Sequence, residues 1–152
     1  MATLHVMVGL PCSGKTTYAR QLAQQTGALL LTLDDWHLRL FGDDVGQAEH
    51  DERHRSIEKI MWGVAGHVLE IGGDVILDYG CWGRSERDDY RNRAKALGAD
   101  FRLHYMDVPY PELYRRLDDR NRRHPECVFV IPKTEMDRYL TIFQPPAADE
   151  LG

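Results

Sequence analysis

Gly9-Leu10-Pro11-Cys12-Ser13-Gly14-Lys15-Thr16-Thr17 is the stretch on which the architecture turns. Two glycines five positions apart, then lysine and a hydroxyl residue, make the full GxxxxGK[ST] pattern. Glycines let the backbone aim its N–H groups inward around a phosphate, at angles a side chain forbids. Lys15 can reach β- and γ-phosphates, Thr16 can ligate Mg²⁺, and the helix that follows points its positive end at the same anion. The flanks agree with that chemistry. Leu4–Val8 is a short apolar run that reads as a buried strand. From Lys15 to Thr26, Tyr18, Leu22 and Ala23 fall at helical spacing before Gly27. Cys12 reads as a small residue whose backbone does the binding.

Further along the chain, strand and helix signals alternate. Ala28–Leu33 is a second apolar run, closed by Asp34-Asp35, with a helix expected from Trp36. Residues 42–51 read as a loop or frayed helix start. A long helix is expected from about Arg53 to Ile71, stopped by Gly72-Gly73. Val75–Leu77 is a third strand ending on Asp78, and Ser85-Glu86-Arg87-Asp88 resembles a capping box opening a helix to Leu97. Phe101–Met106 is a fourth strand. Pro111 starts an arginine-rich helix to about His124, and Thr134 opens a last helix that runs up to Pro145-Pro146. This alternation predicts a parallel sheet of four to five strands with helices on both faces, in one domain spanning residues 1–152.

Ligands of open parallel sheets sit beyond the carboxyl ends of the strands. Asp34, Asp35 and Asp78 fall there. Val75-Ile76-Leu77-Asp78 has the form of a Walker B strand, which predicts Asp78 and Thr16 as metal ligands for Mg²⁺. Asp34 is the candidate to position an attacking hydroxyl and take its proton, with Asp35 capping the next helix. Arg116 and Arg120, four apart on one helical face, can offset charge developing on a transferring phosphoryl group. The rest of that cluster reads as a solvated surface with local ion pairs, such as Arg115 with Asp119. Trp62 reads as core, whereas Trp36 and Trp82 follow strand-end acids closely and can line an acceptor pocket. His50 and His54 also lie four apart, but glutamate does not directly follow the first histidine as in the zinc-protease motif. With no third ligand in view, the pair is not read as a metal site.

Composition bounds the partners. Of 152 residues, 19 are Lys or Arg and 24 Asp or Glu, for a net charge of −5. No global basic field gathers long nucleic acid, although a short 5′-hydroxyl end remains within reach of a local basic site. No apolar run reaches membrane-spanning length. Three cysteines with no CxxC spacing read as reduced thiols, and a cytoplasmic protein is expected.

Taken in order, Gly9–Thr17, Asp34-Asp35-Trp36-His37, Val75–Asp78, His104–Pro109 and Leu113–Arg120 carry a family likeness over about residues 3–145. The chain resembles the small P-loop kinases related to the phage polynucleotide 5′-hydroxyl kinase domain, to chloramphenicol phosphotransferase and to zeta-toxin-type kinases, a group of AAA-type ATP-binding proteins. The resemblance implies a three-layer P-loop NTPase/kinase fold with a short arginine-rich lid. It implies ATP and Mg²⁺ as cofactors, and Lys15, Asp34 and Arg120 as catalytic residues. ATP contacts are expected from Gly9, Leu10, Pro11, Cys12, Ser13, Gly14, Lys15, Thr16 and Thr17, with Arg116 as the first arginine of an RxxxR lid and Arg120 as the second. The acceptor side is expected to draw on Asp34, Asp35, His37, Arg39, Trp82 and Arg84. Where polynucleotide kinases carry an arginine after the aspartate pair, this chain has His37, with Arg39 two residues on. The expected activity is therefore phosphoryl transfer to a hydroxyl of a small molecule, such as a metabolite, a nucleoside-like compound or an antibiotic. A polynucleotide 5′-hydroxyl kinase is the alternative, and a nucleotide switch or ATPase without an acceptor is the alternative of another class. Against the switch, no Asn-Lys-x-Asp guanine-reading motif occurs.

Overall fold

Four strands hydrogen-bond side by side in the order β2-β3-β1-β4, every pair parallel. They are β1 (Thr3–Val8), β2 (Leu29–Thr32), β3 (Val75–Asp78) and β4 (Asp100–Tyr105) in a computed structural model that describes residues 1–42, 46–123 and 129–151. The helices are α1 (Lys15–Thr26), α2 (Leu33–Phe41), α3 (Gln47–Glu70), α4 (Arg84–Ala96), α5 (Tyr110–Arg123), α6 (Lys133–Ile142) and α7 (Ala148–Leu151). Side chains alternate across a strand, so both faces of this sheet must be covered. Leu4, Val6 and Val8 of β1 pack with Val75 and Leu77 against Ile57, Met61, Ala65 and Leu69 of α3 and Tyr90 and Ala94 of α4. Met7 and Ile76 point the other way, onto Ala19 of α1. The result is a helix–sheet–helix sandwich. Leu77 is fully buried, and truncating it to alanine should cost about 2–5 kcal/mol.

Most strand and helix ends shift by a residue or so from the sequence reading, and the differences at α2, α3, α4 and the chain after α6 have local reasons. Helix α2 starts at Leu33, so Asp34 and Asp35 lie in its first turn instead of preceding a helix at Trp36. Neither acid caps it: Thr32 is the N-cap without a side-chain cap bond, and Asp35 pairs with Arg39 one turn on, at 3.3 Å. Helix α3 begins at Gln47, one and a half turns before Arg53, with an Arg53–Glu49 pair at 3.0 Å supporting the added turns. The capping box at Ser85 does not form, because the chain is already helical at Arg84, whose backbone N–H is satisfied by Gln144 Oε1 at 2.8 Å. Helix α6 ends at Ile142, where Phe143 turns extended and enters the core, and α7 follows where no element was expected.

Helix α7 is tied to α4 by a buried ion pair. Arg87 Nε donates to Glu150 Oε1 at 2.7 Å, and both side chains are 1% exposed. The same guanidinium donates to the carbonyl of Cys81 at 2.9 Å. Among the described residues no helix is long and apolar enough to cross a membrane.

Candidate active site

The phosphate loop leaves β1 in the middle of the sheet and is held from both sides. Gly9 N–H donates to the Gly80 carbonyl at 3.2 Å, and Trp82 Nε1–H donates to the Gly9 carbonyl at 3.0 Å. A Cβ on Gly9 would sit 2.6 Å from Ser13 Oγ and 3.3 Å from Met106 Cβ, so any larger residue would have to displace the Ser13 hydroxyl. Cys12 (φ 68°) and Gly14 (φ 90°) adopt left-handed backbone, the alternation that turns successive N–H groups into one concavity. Gly14 is also the N-cap of α1, which places Lys15, Thr16 and Thr17 in its first turn. Ser13 Oγ is buried without a hydrogen-bond partner. An orphaned hydroxyl inside a ring of backbone donors fits a phosphate oxygen. Lys15 Nζ folds over the loop and donates to the Leu10 carbonyl at 3.1 Å. Burial pulls its pKa down, against the opposing fields of Asp78 and Asp34.

Asp78 ends β3 in the register position opposite Thr32 of β2. Its Oδ2 accepts from Thr16 Oγ1 at 2.8 Å and from Thr32 Oγ1 at 3.2 Å. Burial raises its pKa, offset by Lys15 and by the two hydroxyls. A carboxylate and a hydroxyl at the edge of the phosphate loop form the hard oxygen donor set that Mg²⁺ takes together with phosphate oxygens.

Asp34 lies beyond β2 with its side chain 61% exposed, and its Oδ1 accepts from His54 Nε2 at 3.1 Å. Desolvation pushes its pKa up, but the His54 bond and the charges of His54, Lys15 and His50 outweigh this and hold the carboxyl ionised. Asp34 and Lys15 each favour the other's charged form.

Two of the five arginines on α5 reach the loop, and both reach Cys12. Arg116 donates to its carbonyl at 3.1 Å and to Glu112 at 3.0 Å. Arg120 lies 3.7 Å from its sulfur and donates to the Phe129 carbonyl at 2.7 Å. The other three pair along their own helix, Arg115 with Glu112, Arg122 with Asp118 and Arg123 with Asp119. Arg115 thus takes Glu112 as partner, not Asp119.

The acceptor-side residues scatter more widely. Trp82 braces the loop and packs on Tyr139, ring centroids 4.7 Å apart. Arg39 lies on the surface with Asp35, and Arg84 directs its guanidinium at Asp149, Asp88 and Glu150. His37 is fully buried, and burial together with His54 and His50 pushes its pKa down to about 4. Its Nδ1 lies 2.6 Å from His54 Nδ1. His50 and His54 therefore do have a third histidine beside them, supplied by α2. Thr32 was not singled out from the sequence, and His54 only as one of a histidine pair, not as the partner of Asp34. Thr32 had a signal, as the strand-end residue level with Asp78; His54 depends on how α2 and α3 pack. A cleft of about 410 Å³ between α3 and α4, lined by Trp62, Gly66, His67, Arg93 and Leu97 among others, contains none of the site residues.

The left-handed turns at Cys12 and Gly14, Lys15 and the orphaned Ser13 hydroxyl fit the phosphate tail of a nucleotide. The molecule is a P-loop nucleotide-binding protein of the kinase fold. Over residues 4–146 it matches the AAA domain family, to which the chain belongs. A chain of the Pnkp1/Rnl/Hen1 RNA repair complex is 27% identical at a TM-score of 0.73, over 92% of this chain and 43% of that one. A second structure of that complex is matched over 38% of its chain, so this protein spans less than half the length of either. Kti12 from Chaetomium thermophilum, solved with ADP-AlF3, is 20% identical at a TM-score of 0.70, over 95% of this chain and 81% of that one. The Mycobacterium tuberculosis APS kinase CysC, solved with AMPPNP and APS, is 19% identical at 0.57, over 95% and 83%. The last two likenesses are of fold. No curated protein matches the sequence significantly.

Proposed function

We propose that residues 1–152 act as one ATP- and Mg²⁺-dependent kinase domain that transfers the γ-phosphoryl group to a hydroxyl of a small acceptor. The acceptor is a metabolite, a nucleoside-like compound or an antibiotic. The observation that carries this reading is Asp34: an ionised, accessible carboxylate beyond β2, electrostatically coupled to the lysine of the phosphate loop. In the proposed step the acceptor oxygen bonds to the γ-phosphorus as the bond to the β–γ bridging oxygen breaks. ADP leaves, and the hydroxyl proton passes to Asp34. Gly9–Thr17 and Lys15 hold the phosphates. Mg²⁺, for which Thr16 and Asp78 are the fitting ligands, neutralises charge on the phosphate oxygens when bound. Arg120 and Arg116 form the lid, Arg120 stabilising the transition state and Arg116 the bound nucleotide. Of the other acceptor-side candidates, Trp82 stands beside the loop and Asp35 beside Asp34, while His37, Arg39 and Arg84 would act only through the neighbours they hold. A cytoplasmic setting is part of the proposal, in keeping with the free Cys12 and Cys81.

The test is transfer of label from γ-labelled ATP across a panel of hydroxyl compounds and 5′-hydroxyl oligonucleotides. Labelled small product supports the reading. A second reading, polynucleotide 5′-hydroxyl phosphorylation, draws on the 27% identity to a chain of the RNA repair complex. It would show as labelled oligonucleotide, with binding that weakens steeply with salt, by about 0.7 log units per phosphate contact per log unit of salt for single strands. Rapid hydrolysis unaffected by any acceptor would instead favour an ATPase.

A further inference from the structure

We propose that His37, His50 and His54 form a binding site for a divalent transition-metal ion, with Zn²⁺ the fitting occupant, separate from the Mg²⁺ position at Thr16 and Asp78. Each histidine offers one ring nitrogen, and the three lie within 4.8 Å of one another. His50 and His54 are one turn apart on α3 with rings 4.2 Å centroid to centroid, and His37 of α2 closes the group at 4.6 Å from each. Nitrogen donors suit Zn²⁺ and its first-row neighbours, whereas the oxygen set at the phosphate loop suits Mg²⁺.

Two further observations point to a ligand. First, Asp34 accepts from His54 Nε2 at 3.1 Å. In neutral His54 that bond fixes the proton on Nε2 and leaves the lone pair on Nδ1, the atom that faces His37. Carboxylate, histidine and metal in line are the outer-shell arrangement that orients zinc-binding imidazoles. Second, His37 is fully buried and its Nε2 has no hydrogen-bond partner. A hydrogen bond between the two Nδ1 atoms leaves that second nitrogen unsatisfied, a cost that an ion removes when Nε2 itself is the ligand. The two Nδ1 atoms, 2.6 Å apart, are closer than joint ligation permits. Zn–N bonds of about 2.0–2.1 Å in a tetrahedral site put ligand nitrogens roughly 3.3 Å apart, so if both ligate, the rings must part by less than about 1 Å. Phe129 packs edge-on against His37 and His50 at 5.2 and 5.1 Å, an apolar wall that screens the group from water.

Ion binding would pin α2 to α3 and fix the Asp34 carboxylate through His54; that consequence rests on the kinase reading, while ion binding itself does not. The test therefore uses untagged protein without nucleotide. Equilibrium dialysis against Zn²⁺ alone, and titration with Co²⁺ read by its tetrahedral absorption, are compared for parent, His50→Ala, His54→Ala and the control His67→Ala. Far-UV circular dichroism checks the fold of each. Expected are one ion per chain, displacement of Co²⁺ by Zn²⁺, and at least ~100-fold weaker binding in folded His50→Ala or His54→Ala, with His67→Ala unchanged. Asp34→Asn should weaken binding by ~10–100-fold, as loss of an outer-shell partner does. Absence of stoichiometric binding to the parent, or parent-like binding in folded His50→Ala and His54→Ala, would overturn the site. Neither result bears on phosphoryl transfer.

Discussion

The phosphate loop and the α2–α3 corner are built on different principles. The loop is a run of consecutive residues whose backbone does the binding, so its chemistry travels with the local sequence. The corner assembles Asp34, His37, His50 and His54 from two helices whose packing brings them together. The first kind of site can be recognised without a fold; the second exists only once the chain has folded. A carboxylate that becomes a base only through its neighbours is therefore more exposed to distant change than a lysine fixed by its own loop.

Substitutions test that contrast. The largest effect is expected at Lys15. Lys15→Ala removes the loop's only fixed cation, and turnover measured with labelled ATP should fall below about one-thousandth of the parent, with weaker ATP binding. Near-normal turnover would end the kinase reading. Next is Asp34→Asn, which keeps shape and loses proton acceptance. Single-turnover transfer should drop by ~10²–10⁴ while ATP·Mg²⁺ affinity, measured by calorimetry, stays close to the parent. If both fall together, the corner and the loop are one unit, not two. Arg120→Ala should lower kcat by ~10²–10³ with a small change in ATP affinity, and Arg116→Ala should mainly raise the ATP KM. Unchanged kinetics in both would return α5 to a solvated surface helix.

The smallest effect concerns stability away from both regions. Glu86 has its pKa raised to about 7 by burial and by the charge of Glu58. The folded state thus holds a proton that the unfolded chain releases near 4.5. That proton-linked stability is complete below about pH 4.5 and is lost as pH rises through 7. Glu86→Gln should therefore stabilise the protein at pH 8 by on the order of 1–2 kcal/mol, with little difference at pH 4. Thermal melts at the two values decide it; an equal shift at both would remove the linkage.

Much of the sandwich could be read from the chain because its signals are local: an apolar run, an acid, a helical stretch, a glycine. The loop, the Thr16–Asp78 pair and the two arginines four apart on α5 were legible for the same reason. The first turn of α2 was not, since a helix that starts directly at a strand's end shows no capping residue. Asp35 accordingly does not act as a cap worth ~1 kcal/mol; its exposed pairing with Arg39 is worth a few tenths. His50 and His54 were visible as a pair but lacked a partner, because the third imidazole comes from a different helix. Periodicity cannot reveal which faces of two helices will meet.

The Arg87–Glu150 pair has one more implication, for trimming of the chain. Its guanidinium holds the Cys81 carbonyl, next to the Gly80 carbonyl that receives Gly9 N–H at the mouth of the phosphate loop. Cutting the chain before α7 would strand a buried cation, a defect on the order of 3–5 kcal/mol. The strain would be released first into the segment that anchors the loop. A cut there would then read out as impaired nucleotide handling before it read out as unfolding.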